Sequence, residues 1–286
     1  MPVKKIFITG ATSGIGMITA CELASAGNTI IATARSAESG KILSEYYKTN
    51  YAVGLGTIKI LICDLSSFES IVVACNELKT QYNCIDTLIN NAGVWNFTYK
   101  ESKDKIEEIL QVNVLAPLLI NHLLFGLLVK SSEAKSIFAA SGLHQGDVNF
   151  ANLEFKKKFS GVKAYRQSKL EVILLCRLFS KKLENSNIGV YCEHPGFVST
   201  KLGRNANWFA NLFFRLMGIT PQKGAKTLLF LANTPKINLT SGEYYYLNAV
   251  KRITRQSYDM SVAEKLLNTL KTYLAKYITS PSPIFN

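Results

Sequence analysis

The chain is short of the features that mark several protein classes. Its six cysteines, Cys21, Cys63, Cys75, Cys84, Cys176 and Cys192, show no paired C-x-x-C spacing and no histidines at zinc-ligand spacing. Neither a metal site nor a disulfide framework is therefore expected, and they read as reduced core thiols. No stretch reaches an uninterrupted 18-residue apolar run, and MPVKKIFITG passes straight into a strand-like segment without a signal-peptide pattern. The expectation is an intracellular protein, cytoplasmic or peripherally membrane-associated, without an N-terminal anchor. Acidic residues are also few, 20 against 33 lysines and arginines, giving a net charge of +13. That excess favours anionic partners. The basic residues are mostly dispersed, with short clusters at Lys156–Lys158 and around Lys251, Arg252 and Arg255. No nucleic-acid motif accompanies them, so nucleic acid is not an expected partner. Asn96-Phe97-Thr98 and Asn238-Leu239-Thr240 match the glycosylation pattern by chance.

What is present is apolar material in regular alternation. With 48% hydrophobic and 19% charged residues in 286, the chain can cover both faces of a sheet in one domain, residues 1–286. Short β-branched runs predict strands near Lys4–Thr9, Thr29–Ala34, Thr57–Cys63, Asp86–Asn90, Ser136–Ser141, Gly189–His194 and Glu243–Leu247. Between and after them, helical patterns cover Ile15–Ala26, Ser39–Thr49, Ser67–Gln81, Lys103–Val129 with a break, Val162–Glu184, Pro221–Leu231 and Ser261–Tyr277. The fold class is α/β, a doubly wound parallel sheet of about seven strands. One segment departs from the alternation. Asn205–Ile219 crowds Trp208, Phe209, Leu212, Phe213, Phe214, Leu216 and Met217 together, as a lid over an apolar pocket, about 201–219, or a membrane-facing surface.

The first strand runs into Thr9-Gly10-Ala11-Thr12-Ser13-Gly14-Ile15-Gly16, a glycine-rich turn that opens a helix. Glycines let the backbone turn sharply and approach a pyrophosphate, and the helix N-terminus offers free N–H groups to the anion. The second strand ends in Ala34-Arg35-Ser36, with no carboxylate to take ribose hydroxyls. An arginine fork suits a 2′-phosphate, so NADP(H) is favoured and NAD(H) left open. Otherwise Arg35 is a solvated loop residue.

Tyr165 and Lys169 stand four residues apart in a helical pattern, one turn apart on one face. An ammonium beside a phenol stabilises the phenolate and lowers the tyrosine pKa, making it a usable acid or base. Some 24 residues earlier, Ser141 emerges from the end of an apolar strand, where open α/β sheets bind ligands.

These motifs together resemble the short-chain dehydrogenase/reductase family, and within it the retinol dehydrogenase-like branch, with a Rossmann-like fold. The matching residues are Thr9-Gly10-x3-Gly14-x-Gly16, Cys63-Asp64-Leu65, Asn90-Asn91-Ala92-Gly93, Val112-Asn113, Ser141, Tyr165-x3-Lys169 and His194-Pro195-Gly196. Weaker similarity continues around Thr220-Pro221-x2-Gly224-Ala225 and Ser241-Gly242-x-Tyr244. The resemblance implies a catalytic tetrad of Asn113, Ser141, Tyr165 and Lys169. Tyr165 would exchange the proton, Ser141 polarise the substrate oxygen, and Lys169 tune the tyrosine and bind the nicotinamide ribose. Asn113 would join Lys169 to a relay through a water. For the cofactor it implies Gly10, Ser13, Gly14, Ile15, Gly16 and Arg35, then Asp64 and Leu65 at the adenine. Asn91, Ala92 and Gly93 would lie beside the adenosine ribose, and Pro195, Gly196, Val198 and Thr200 on the nicotinamide side. Asp64 also reads as a helix cap.

Two departures stand out. The family often has two serines where this chain has Ala140-Ser141, and many NADP-preferring relatives carry a basic residue at the Ser13 position. His144 and His194 read as structural. The expected activity is hydride transfer between NADP(H) and the carbonyl or alcohol of a lipophilic substrate of retinoid, steroid or long-chain type. The alternative is a catalytically silent NADP(H)-binding sensor or scaffold. Peripheral membrane contact and homo-oligomerisation are left open.

Overall fold

The computed structural model describes residues 3–51, 53–196, 220–279 and 281–285. Strand β1 (Lys5–Ile8) leads into α1 (Gly14–Ser25), followed by β2 (Thr29–Ala34), α2 (Ala37–Asn50), β3 (Thr57–Ile62), α3 (Phe68–Gln81) and β4 (Thr87–Asn90). A short α4 (Glu108–Leu110) passes through a π-helical turn, Gln111–Leu115, into α5 (Ala116–Leu128). Then come β5 (Lys135–Ala139), α6 (Gly161–Lys182), β6 (Gly189–Glu193), α7 (Pro221–Asn233), β7 (Tyr244–Tyr246), β8 (Ala249–Val250) and α8 (Met260–Leu274).

The strands form one sheet in the order β3-β2-β1-β4-β5-β6-β7-β8. All neighbours are parallel except β7 and β8, which pair antiparallel. The order reverses between β1 and β4, and ligands of open α/β sheets bind at such a switch point, beyond the strand C-terminal ends. The expectation of about seven strands is met by β1–β7. The two-residue β8 is an addition at the edge, with both residues exposed.

Alternate residues of each strand feed two separate cores, as the period of two requires. Phe7, Ile31, Leu61, Leu88, Phe138 and Val190 join the larger one, against α3, α5, α6 and α8. Ile6, Ile8, Ile30, Ala32, Ile89 and Ile137 join the other, against α1, α2 and α7. Each such isoleucine or phenylalanine contributes about 1.5–3 kcal/mol by leaving water. The segment Glu108–Leu128 is long and apolar enough to cross a membrane, but 83% of its most apolar stretch is buried inside the fold. It packs as a core helix.

At the N-terminal end of β5, Lys135 is fully buried. Its ammonium donates to the carbonyls of Leu231 (2.9 Å), Ala232 (3.1 Å) and Thr234. Those carbonyls end α7, where helical partners run out and a cation is favoured.

Candidate active site

The turn after β1 is as tight as its glycines suggest. Gly10 and Gly14 take φ of +69° and +57°, the left-handed region. A Cβ on Gly16 would lie 2.2 Å from the Gly10 carbonyl oxygen and 2.4 Å from Asn91 Nδ2. The turn is tied to the loop after β4: the Thr9 hydroxyl accepts the N–H groups of Asn91 (3.1 Å) and Ala92 (3.0 Å). Asn91 Nδ2 in turn donates to the Thr9 carbonyl at 2.9 Å. Ser13, exposed at the start of α1, makes no side-chain cap, and the first turn of α1 carries no acidic residue. The uncapped N–H groups and the cradle that a Cβ would fill fit a dinucleotide pyrophosphate.

Around this turn the other expected cofactor residues fall at strand C-terminal ends. Arg35 is exposed directly after β2, followed by Ser36, which caps α2. Asp64 follows β3, but it does not cap α3. Its Oδ1 accepts from the Ser66 N–H (3.0 Å) and hydroxyl (2.8 Å), a local turn, while Ser67 is the cap. Burial would raise the Asp64 carboxyl, yet bonds from Lys103, at 2.9 Å, and Ser66 hold it below its ordinary value. Leu65 is buried beside it. Pro195 and Gly196 follow β6, whereas Val198, Thr200 and the 201–219 segment lie outside the described residues.

The structure brings the four expected catalytic residues together. Lys169 Nζ lies 5.7 Å from the centre of the Tyr165 ring, one helical turn away on α6. The side chain of Ser141, just beyond β5, acts on the Tyr165 phenol and opposes the effect of its burial. Asn113 sits in the π-helical turn, which aims its amide at the loop after β4. Its Oδ1 accepts from the Val94 N–H (2.8 Å), and its Nδ2 donates to the Val94 carbonyl (3.0 Å) and the Ser168 hydroxyl (3.0 Å). A π turn inside a helix often marks a functional position. Gly93 separates Asn113 from Lys169: a Cβ there would lie 3.4 Å from Asn113 Oδ1 and 3.5 Å from Lys169 Nζ.

The electrostatics depart from expectation. Lys169 donates to the Ala139 carbonyl at 2.8 Å rather than to the tyrosine. Tyr165 is 7% exposed, and burial pushes its phenol up to about 12 against the action of Ser141. Desolvation outweighs the opposing effect of Ser141, so Tyr165 holds its proton at neutral pH. Burial also brings the Lys169 ammonium down to about 8, while Glu193 acts to raise it.

The histidines hold the walls. His194 Nδ1 accepts the N–H groups of Gly142 (3.0 Å) and Gly196 (3.3 Å), joining the Ser141 loop to the loop after β6. Burial brings His194 down to about 4, so it stays neutral and an acceptor. His144 Nδ1 lies 2.7 Å from the Ser141 carbonyl. Two neighbours of the site carry no sequence signal as functional residues. Trp95 stacks on Tyr165 with ring centres 4.4 Å apart and planes 10° apart, and on Phe97 at 5.5 Å. Glu193 ends β6, fully buried.

Known proteins resemble this chain in sequence and in fold. The short chain dehydrogenase family model matches residues 4–208. Retinol dehydrogenase 14 of Mus musculus is 34% identical over 278 residues, covering 92% of this chain and 83% of the relative. Retinol dehydrogenase 11 of Homo sapiens is 30% identical over 273 residues, covering 93% and 84%. Among solved structures, a Mycobacterium paratuberculosis protein superposes with a TM-score of 0.75 at 23% identity, covering 95% of this chain and 93% of that one. The NADPH-bound carbonyl reductase from chicken fatty liver superposes at 0.63 with 22% identity, covering 85% and 96%. The chain therefore belongs to the short-chain dehydrogenase family, as an oxidoreductase of its retinol dehydrogenase-like branch.

Proposed function

We propose that this protein transfers a hydride between NADP(H) and the carbonyl or alcohol of a lipophilic substrate, with Tyr165 exchanging the proton. The observation that carries the reading is the convergence on Tyr165 of Ser141, whose side chain acts on the phenol, and of Lys169, whose Nζ lies 5.7 Å from the ring centre one turn along the same buried helix. A silent dinucleotide-binding protein has no use for that arrangement. The stacked Trp95 and Phe97 beside Tyr165 offer an apolar, aromatic shelf, and the retinol dehydrogenase relatives are named for a lipophilic alcohol.

The pyrophosphate would rest on Gly10, Ser13, Gly14, Ile15 and Gly16, and Arg35 would meet a 2′-phosphate. Asp64 and Leu65 would border the adenine, and Asn91, Ala92 and Gly93 the adenosine ribose. Pro195, Gly196, Val198 and Thr200 would face the nicotinamide, with Lys169 on its ribose hydroxyls. Bound nicotinamide supplies or accepts the hydride. Ser141 orients the substrate oxygen, and Tyr165 donates its proton to that oxygen as a carbonyl is reduced. A phenol held near 12 keeps its proton at neutral pH, ready for the oxygen of a carbonyl being reduced. Asn113 holds the loop after β4 against α6 and keeps Gly93 and Lys169 in register.

Tyr165→Phe removes one oxygen and tests the reading. Turnover of aldehydes and ketones, followed by nicotinamide absorbance, should fall by about 10²- to 10⁴-fold while cofactor affinity holds. Comparable turnover in the variant defeats the mechanism. Arg35→Ala should weaken NADPH by about tenfold, about 1.4 kcal/mol, and barely touch NADH. Equal losses defeat the 2′-phosphate assignment.

A further inference from the structure

After Gly93 the chain leaves the end of β4 and crosses the N-terminal end of α6, held on both sides of Trp95. Val94 gives its N–H to Asn113 Oδ1 at 2.8 Å and takes Asn113 Nδ2 on its carbonyl at 3.0 Å. Asn96 is buried, and its Nδ2 donates to Glu108 Oε2 on α4 at 2.8 Å. The first residue of α6, Gly161, packs directly against this segment: a Cβ there would lie 1.9 Å from the Asn96 carbonyl oxygen and 3.0 Å from Phe97 Cα. Trp95 therefore projects from a backbone that is tied to two helices.

Its ring lies against Tyr165, with centres 4.4 Å apart and planes 10° apart, and Phe97 continues the stack at 5.5 Å and 19°. Tyr165 stands one turn along α6 from Gly161, on the same face. The close approach that Gly161 permits is thus what brings the indole onto the phenol ring. A tyrosine on a helix can still turn about two side-chain bonds. Here the ring cannot tilt toward its neighbour without driving into an indole whose own backbone is fixed. Parallel, offset aromatic pairs attract as well as obstruct. The indole also fills the space beside one face of the phenol, which is 7% exposed.

We propose that Trp95 is a positioning residue, whose indole holds the Tyr165 ring in the plane that delivers its hydroxyl to the substrate oxygen and shuts water from one face of it. The proposal rests on the proton transfer given to Tyr165 above. Proton and hydride must reach neighbouring atoms of one carbonyl group, and a displacement of about 1 Å in such an arrangement can cost about 10²-fold in rate. A ring free to tilt loses that alignment while its chemistry is unchanged. The aromatic shelf can also touch an apolar substrate, but that contact belongs to binding and does not pass through the hydroxyl.

Trp95→Leu removes the ring and keeps an apolar side chain. With the aldehyde or ketone that wild type turns over best, kcat should fall by about tenfold while NADPH affinity holds. Trp95→Phe, which keeps a flat ring, should restore most of the loss. In a Tyr165→Phe background the leucine change should leave the residual kcat where it was, because the hydroxyl being positioned is gone. An unchanged kcat in Trp95→Leu, or a loss that persists in full in the Tyr165→Phe background, overturns the proposal. Proton NMR of protein with labelled tyrosine reads the stack itself, the Tyr165 ring signals being assigned by their absence in Tyr165→Phe. They should lie upfield under the indole ring current and return toward ordinary positions in Trp95→Leu; signals that do not move overturn the proposal too. Trp95→Met serves where the leucine variant does not fold. If neither folds while Trp95→Phe does, the ring is structural and the proposal is overturned as well. Because the ring signals need no substrate, a wild-type protein inert toward every carbonyl defeats the oxidoreductase reading and leaves the NMR to decide whether Trp95 holds Tyr165.

Discussion

Two buried lysines stand near opposite ends of β5, and burial lowers each to about 8. By burial and shift alone they are twins. Lys135 gives its ammonium protons to three carbonyls that finish α7, so its donors are used and it has nothing left to offer a ligand. Lys169 gives one bond to Ala139 and lies over the Tyr165 ring. The contrast shows that a displaced lysine is a sign of burial, and that spare donors next to reactive neighbours are the sign of chemistry.

The comparison can be broken most directly at Lys169. Lys169→Met keeps the aliphatic stem and removes the charge, and kcat/KM should fall by about 10²- to 10³-fold while the unfolding midpoint stays close to wild type. Retained turnover in that variant would erase the distinction. The converse holds at Lys135. Lys135→Met leaves the carbonyls of Leu231, Ala232 and Thr234 without their donor, and denaturant unfolding near neutral pH should show a loss of about 1–3 kcal/mol, with kcat/KM per folded molecule unchanged. A change in catalysis there would mean that the far end of β5 reaches the site.

The smallest effect sharpens the same pair through pH. Lys135 titrates near 8 in the fold and near its ordinary 10.5 when unfolded, so between those values the unfolded chain binds more protons. Stability from this group therefore rises with pH across that window, on the order of 1 kcal/mol per unit. Urea midpoints at pH 8 and pH 10 should show wild type gaining on Lys135→Met. A constant gap would mean that the three carbonyls cancel the effect of burial.

Much of this was legible in the residues. The seven parallel strands and their helices follow from β-branched runs and 3.6-residue periodicity, and the glycine turn follows from its place between a strand and a helix. β8 was not legible, since Ala249 and Val250 are two exposed residues with no alternation to read. The break expected within Lys103–Val129 proves to be a π turn, and residues 103–107, ahead of α4, are not helical: Glu101 bridges to Glu107 instead. Tyr165 and Lys169 could be placed one turn apart from spacing, but not the outcome of their electrostatics. Spacing does not tell that the ammonium turns to the Ala139 carbonyl or that the phenol is shut away from water. Glu193 escaped for a related reason. A glutamate reads as a surface residue, and only the sheet register shows that this one ends its strand in the interior.

The stacking of Trp95 on Tyr165 gives the protein a built-in optical reporter. Only two tryptophans occur in the chain, Trp95 and Trp208. With Trp208→Phe, all indole emission would come from a ring centred 4.4 Å from that of Tyr165. A molecule settling against that aromatic pair would announce itself in the colour and intensity of the light, with no label attached and no reaction required.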